Sequence, residues 1–116
     1  MIRLVRLWSG EDGQSHVEEG HVDLAAVHGS AVSSFLRATG VRFEESAPHS
    51  ALDWDGAPRR QYVITLSGTL RFTTRDGETF TLAPGDVLLA EDTAGDGHSW
   101  RLVDDQPWRR AYVTLD

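Results

Sequence analysis

The sequence contains no cysteine and no lysine, and a single methionine. Without cysteine there is no disulfide, no thiolate nucleophile and no Cys-ligated zinc. Without lysine there is no Schiff-base chemistry through a side-chain amine. All eleven basic residues are arginine, against eighteen acids, for a formal net charge of −7. A chain so short of positive charge lacks the basic footprint that nucleic acid requires, and it is equally unsuited to anionic membrane surfaces. No apolar run approaches the roughly 18 residues of a membrane-spanning helix. The start, Met1 to Trp8, is too short and too charged for a secretion signal. The expectation is a cytoplasmic protein with no nucleic-acid and no membrane partner. The arginine-for-lysine bias hints at a high-GC bacterial genome.

What is present reads as strands. A length of 116 residues suits one domain, expected over 1–116, and 40% apolar residues suffice for its interior. Ile2 to Trp8 alternates arginine with apolar residues, as a half-buried or edge strand does. His16 to Leu24 is a weaker strand, Ala31 to Leu36 a short helix or loop, and Val41 to Ser46 another strand. From residue 60 onward the signals sharpen. Arg60 to Leu66 is β-branched and aromatic, and Thr69 to Arg75 runs into Asp76-Gly77, a strong hairpin signal. Thr79 to Leu82, Val87 to Ala90, His98 to Val103 and Trp108 to Leu115 follow, divided by Pro84-Gly85-Asp86, the loop Asp92 to Gly97 and Pro107. Short strands at this spacing with glycine turns predict an all-β sandwich or barrel.

Two stretches carry a family resemblance. Asp55-x-Ala57, then three residues, Gln61, then six residues and Gly68 have the spacing of the first cupin motif. Gly85-Asp86, a strand and His98 after a loop two residues longer than the common form have the layout of the second. The chain thus resembles the cupin superfamily over about Phe43 to Leu115, and in particular a subgroup of small bacterial cupins. The resemblance implies an antiparallel jelly-roll β-barrel, with residues 1–40 as N-terminal strands and residues 41–116 carrying the barrel motifs. It also implies a homodimer, for which the apolar strand Ile2 to Trp8 is the expected seam. In many members three histidines and a glutamate hold one divalent metal. Of those positions only His98 is histidine here. Asp55 and Gln61 stand at two others, and Ala57 can bind nothing. One imidazole and one formal negative charge are a poor set for zinc or iron. The expectation is no tightly bound cofactor, with a divalent ion such as Mn, Fe, Ni or Zn on Asp55, Gln61 and His98 as the alternative, and His49 or Asp53 as substitute ligands.

Strand alternation gives an independent view of the interior. If Gln61 points inward, Val63 and Thr65 do too, as does Arg59 in the same register. If His98 points inward, Trp100 and Leu102 follow. Asp55 and Ala57 join the Gln61 register if the strand is unbroken through Pro58. The result is a pocket for a small organic molecule: Arg59, Gln61, Val63, Thr65 and Trp100 as binding residues, His98 and Asp55 as catalytic candidates. Histidine exchanges protons near neutral pH. Asp55 is placed to orient His98 or to act itself, and Arg59 to hold a carboxylate or enolate. Such a set suits isomerisation, dehydration, cyclisation or epimerisation of a carbonyl compound. A metal-dependent, dioxygenase-like cupin and a non-catalytic binding barrel remain open as alternatives. His16, His21 and His28 have no ligand-like spacing to these motifs and read as structural or surface residues. Trp54 reads as a core or rim residue and Asp104-Asp105 as a polar turn, and Glu18-Glu19 and Glu44-Glu45, whose members diverge on a strand, make no glycosidase dyad.

Overall fold

A computed structural model of the chain describes residues 1–95 and 97–116; Asp96, in the loop expected after Glu91, lies outside them. The described residues form twelve strands and no helix: β1 (Arg3–Ser9), β2 (Ser15–His21), β3 (Ala25–Val27), β4 (Ser30–Val32), β5 (Ala38–Ser46), β6 (Ala51–Asp55), β7 (Gln61–Ser67), β8 (Leu70–Thr74), β9 (Thr79–Leu82), β10 (Val87–Glu91), β11 (His98–Leu102) and β12 (Trp108–Leu115). Alternation does what the pleat requires of it. In β7 Gln61, Val63 and Thr65 are buried, and in β8 Leu70, Phe72 and Thr74 are, while their neighbours are more open. β10 departs from alternation, with Leu88, Leu89 and Ala90 all buried. It lies between β1 and β7, well inside its sheet.

The strands assemble into a six-stranded sheet, β2-β1-β10-β7-β12-β5, and a four-stranded sheet, β6-β11-β8-β9. Between them sit Val5, Leu7, Leu70, Phe72, Leu82 and Leu88, each at most 2% exposed. This is a jelly-roll-type β-barrel, with one exception to antiparallel pairing among the described residues: β1 runs parallel to β10, in register from Leu4 opposite Val87 to Trp8 opposite Glu91.

That pairing corrects one expectation. β1 is not an edge strand, because β2 covers its other side; the edges of the large sheet are β2 and β5. Two further differences follow the local chemistry. Ala31 to Leu36 forms no helix: Ala31 and Val32 pair in the β3–β4 hairpin, and Phe35 and Leu36 are fully or largely exposed. The strand expected to run through Pro58 ends at Asp55, and Asp55 and Gln61 belong to different sheets. Proline cannot donate to a ladder, so a break here is what its chemistry favours. The Asp76-Gly77 turn is as expected. Gly77 has φ +92°, and its N–H donates to Thr74 O across the β8–β9 hairpin.

Candidate active site in the barrel

A cavity of about 520 Å³ opens between the two sheets, at the end where the β6–β7 loop crosses. Its walls come from β5, β6, β7, β8, β10, β11 and β12. Phe72, Trp100 and Trp108 make an aromatic side, with Trp100 edge-on to Trp108 at 4.6 Å between centroids. Val63, Leu88, Ala57 and Ala90 supply aliphatic surface. A mostly apolar concavity with a few converging polar groups is the usual form of a small-molecule site.

His98 is the buried polar centre of this cavity, 8% exposed. Its Nδ1 lies 2.5 Å from Oδ2 of Asp92, a carboxylate with no solvent exposure. The same Oδ2 accepts from Ser15 Oγ at 2.8 Å, and Asp92 Oδ1 has no hydrogen-bond partner among the described residues. Three segments distant in sequence thus meet: the start of β2, the residue after β10 and the start of β11. A buried carboxylate facing an imidazole nitrogen fixes the ring's orientation and tautomer, placing the proton on Nδ1 and leaving the Nε2 lone pair for a guest. Phe72 packs against the imidazole at 5.6 Å between ring centres and limits its rotation.

The backbone around His98 is shaped to let this happen. Gly97 has φ +74°, and an added Cβ would collide with the carbonyl carbon and oxygen of Asp55. Only glycine permits both that conformation and that approach. Ala57 N donates to Asp92 O at 3.1 Å, tying the β6–β7 loop to the segment that carries the carboxylate.

Of the residues singled out in the sequence, Asp55, Arg59, Gln61, Val63, His98 and Trp100 all line the cavity. Thr65 shares the inward face but does not line it; its hydroxyl faces Trp108 Nε1 at 3.4 Å. Leu102 is buried in the core. Gln61 is buried, 7% exposed, and its amide makes no hydrogen bond among the described residues. Arg59 is exposed at the rim, without an acidic partner among the described residues. Both are free to engage a guest.

Asp55 does not hold His98. It lies opposite His98 in the β6–β11 ladder, but it is exposed, and Asp92 occupies Nδ1. The sequence offered one signal for Asp92: an acid six residues before the histidine, just after an apolar strand. In a turn-rich stretch that signal cannot be told from a solvated loop acid. A second group escaped notice altogether. Arg110 is 3% exposed; its guanidinium lies 3.8 Å from the Trp108 ring centre and bonds Glu44, Ser46 Oγ, Trp108 O and Tyr112 Oη. It fixes Trp108, Tyr112 and Glu44, all three of which line the cavity.

The cavity's donors do not fit the metal that the family resemblance implies. Ala57 is buried at one ligand position with nothing to offer, Gln61 brings a neutral amide, and Asp55 stands at the rim. No three His, Asp or Glu side chains in the cavity, among the described residues, come close enough to share an ion. His49 and Asp53 do not line the cavity; His49 faces Asp105 at 3.5 Å from a surface turn. The described residues contain one such triple elsewhere: His16, Asp76 and Glu78, with ligand atoms within 4.8 Å of one another. It is a surface group in which Asp12 already bonds His16 Nε2 at 3.0 Å. That bond raises the histidine's pKa and lowers that of Asp12.

No protein-family model and no curated protein matches the sequence. Among solved structures, a DUF861 family protein from Thermotoga maritima superposes with a TM-score of 0.54 at 19% identity, over 64% of this chain and 77% of its own. A conserved protein of unknown function from Streptococcus pyogenes gives 0.47 at 19% identity, over 69% of this chain and 66% of that one. The Cupin_2 domain of an XRE family transcriptional regulator from Enterobacter cloacae gives 0.37 at 19% identity, over 100% and 98%. At these identities the likeness concerns the fold alone.

Proposed function

We propose that the barrel binds a small, flat carbonyl compound carrying an anionic or enolisable oxygen, and that His98 moves a proton on it. The observation that carries this reading is the Ser15–Asp92–His98 chain, buried beside an aromatic cavity. Burying a carboxylate is costly unless it is paired. Here its two donors are a hydroxyl and the imidazole that faces the cavity.

The steps follow from what each group has free. The aromatic side of Phe72, Trp100 and Trp108 receives a planar ligand. Arg59 at the rim and the amide of Gln61 donate to its oxygen. Nε2 of His98 takes a proton from the carbon next to the carbonyl. The C–H electron pair passes into an enolate, which Gln61 and Arg59 stabilise, and Asp92 stabilises the resulting imidazolium. Return of the proton to a different carbon completes an isomerisation, and its return to the opposite face of the same carbon an epimerisation; departure of a β-hydroxyl as water, taking that proton, completes a dehydration. Asp55, at the rim, is left to accept a hydrogen bond from the departing water.

Proton exchange tests this without the product being identified. The protein is incubated in D₂O with a panel of small enones, β-keto acids and aromatic hydroxy-ketones, and NMR follows loss of carbon-bound hydrogen. The expected result is exchange of at least one class, lost by at least about 100-fold in His98→Ala. Exchange unchanged in that variant would defeat the proposal. Binding without exchange in the native protein would make the barrel a receptor for the same ligand class.

A further inference from the structure

Outside the cavity, His16 on β2 and Asp76 and Glu78 in the β8–β9 turn bring their ligand atoms within 4.8 Å of one another. They come from different sheets: β2 is an edge of the large one, and β9 an edge of the small one. The imidazole is held from three sides. Trp8 stacks on it at 4.8 Å between ring centres. Gly10 leaves it room, since an added Cβ there would come within 2.6 Å of Nε2. Asp12 places both carboxylate oxygens 3.0 Å from Nε2. A carboxylate on one ring nitrogen keeps the proton there and leaves the lone pair on the other, the usual arrangement behind a metal-bound histidine. Nδ1 of His16 has no hydrogen-bond partner among the described residues.

The two acids are uncommitted as well. Thr74 Oγ1 and Glu78 N both donate to Oδ1 of Asp76, which leaves Oδ2 open. Neither carboxylate has an arginine partner among the described residues. Elsewhere the chain matches many of its acids with arginine: Glu19 with Arg3, Glu45 with Arg109, Glu91 with Arg6 and Arg60. Here Arg75, next to Asp76 in sequence, lies instead over the Trp54 ring at 4.1 Å. Two carboxylates converging on an imidazole lone pair, in a chain of net charge −7, call for a cation.

We propose that His16 Nδ1, Asp76 and Glu78 form a peripheral site for a divalent transition-metal ion of the zinc class, outside the barrel. One imidazole and two carboxylates, with a fourth position for water, are a set zinc accepts, whereas Mg²⁺ and Ca²⁺ prefer oxygen alone. Zinc about 2.1 Å from each ligand sets the ligand atoms roughly 3.4 Å apart. The Asp76 and Glu78 side chains are exposed and free to close in from the observed spacing.

Such an ion staples the β1–β2 hairpin to the β8–β9 hairpin across the gap between the two sheets. Both hairpins touch the barrel site, although the inference does not rest on the proposed chemistry. Ser15, beside His16, donates to Asp92. Thr74, which donates to Asp76, stands opposite His98 in the β8–β11 ladder. The ion therefore braces the backbone on two sides of the Asp92–His98 pair.

The test is calorimetric titration of the chelator-stripped protein with Zn²⁺ alone, with melting followed by circular dichroism. One equivalent should bind with a dissociation constant below about 50 µM, and saturating zinc should raise the melting temperature by at least about 5 °C. His16→Ala should weaken binding at least about 30-fold and abolish the thermal shift, and so should Asp76→Asn combined with Glu78→Gln. The amide pair keeps the shape of the turn, so it decides the matter if His16→Ala loses its native circular dichroism. His21→Ala, elsewhere on β2, and His98→Ala, in the barrel, should bind zinc as the native protein does. Binding weaker than about 50 µM in the native protein overturns the inference. So does binding that survives in a folded His16→Ala or in the amide pair. Loss of binding in His98→Ala would place the ion in the barrel, and would overturn it too.

Discussion

Asp92 is the residue on which the site turns, and its worth separates into two measurable parts. One is structural. Removing the Ser15 hydroxyl by Ser15→Ala takes one donor from a fully buried carboxylate, at a cost of about 1–3 kcal/mol. The other is electrostatic, and Asp92→Asn isolates it. The amide keeps the shape, but it replaces a charge with a group that must either present its NH₂ to His98 or bury it where Oδ1 now has no partner. The expected outcome is a folded protein in which deuterium exchange on the responsive carbonyl compound slows by roughly 10²–10⁴-fold. A merely structural role would not move the second readout: the imidazole ¹⁵N shifts should show the proton leaving Nδ1 for Nε2. Unchanged shifts and an unchanged rate would mean that Asp92 does not position His98.

At the scale of the element, what is legible in the sequence is whatever rests on period two. Gln61, Val63 and Thr65 do share the inner face of β7, and His98 does enter the cavity from β11. Those inferences need only alternation, which the pleat enforces locally. What is not legible depends on partners far away in sequence. β1 looks like an edge until one knows that β10 lies parallel beside it, more than 80 residues on. Ser15 and Asp92 are 77 residues apart, and nothing in the local pattern of either announces the other. Ala57 reaches the cavity by a different route from the one alternation suggests, since β6 and β7 are separate strands in separate sheets. The junction of β6 with β11 supplies the element-scale prediction. Gly97→Ala would drive a methyl group into the Asp55 carbonyl and force a residue with φ +74° into a costly conformation. The loss should be at least about 1–3 kcal/mol in urea unfolding, with chemical-shift changes concentrated at His98 and Asp55. Stability within experimental error of the native protein would mean that β6 can yield there.

For the whole molecule, charge decides how stability responds to acid and base. Burial pushes the Glu91 carboxyl up, but hydrogen bonds and charges from Arg6, at 2.6 Å, and Arg60 outweigh it and leave the pKa lowered. Asp12 is lowered by its bond to His16, and Asp76 by the Thr74 hydroxyl. A carboxylate with a depressed folded pKa stabilises the fold above its unfolded value, about 4, and loses that contribution as pH falls through the folded value. His16 is shifted the other way, raised by Asp12, so its contribution is complete below about 6.5 and vanishes as pH rises through its folded pKa. These four groups together predict greatest stability in the mildly acidic range, with a decline on either side. The two declines should differ in character. Asp12, His16 and Asp76 sit at the surface, where salt screens them. Glu91 is only 17% exposed and ties β10 to β1 through Arg6 and to the entry of β7 through Arg60. The acid limb should therefore persist in about 0.5 M salt, where the screening length is only a few ångströms, and flatten in Glu91→Gln. The alkaline limb should fade in salt and disappear in His16→Ala. Melting temperature recorded from pH 3 to 9 at two ionic strengths reads both limbs. An acid limb that salt abolishes would show that Glu91 is not the dominant group and that the surface acids govern instead.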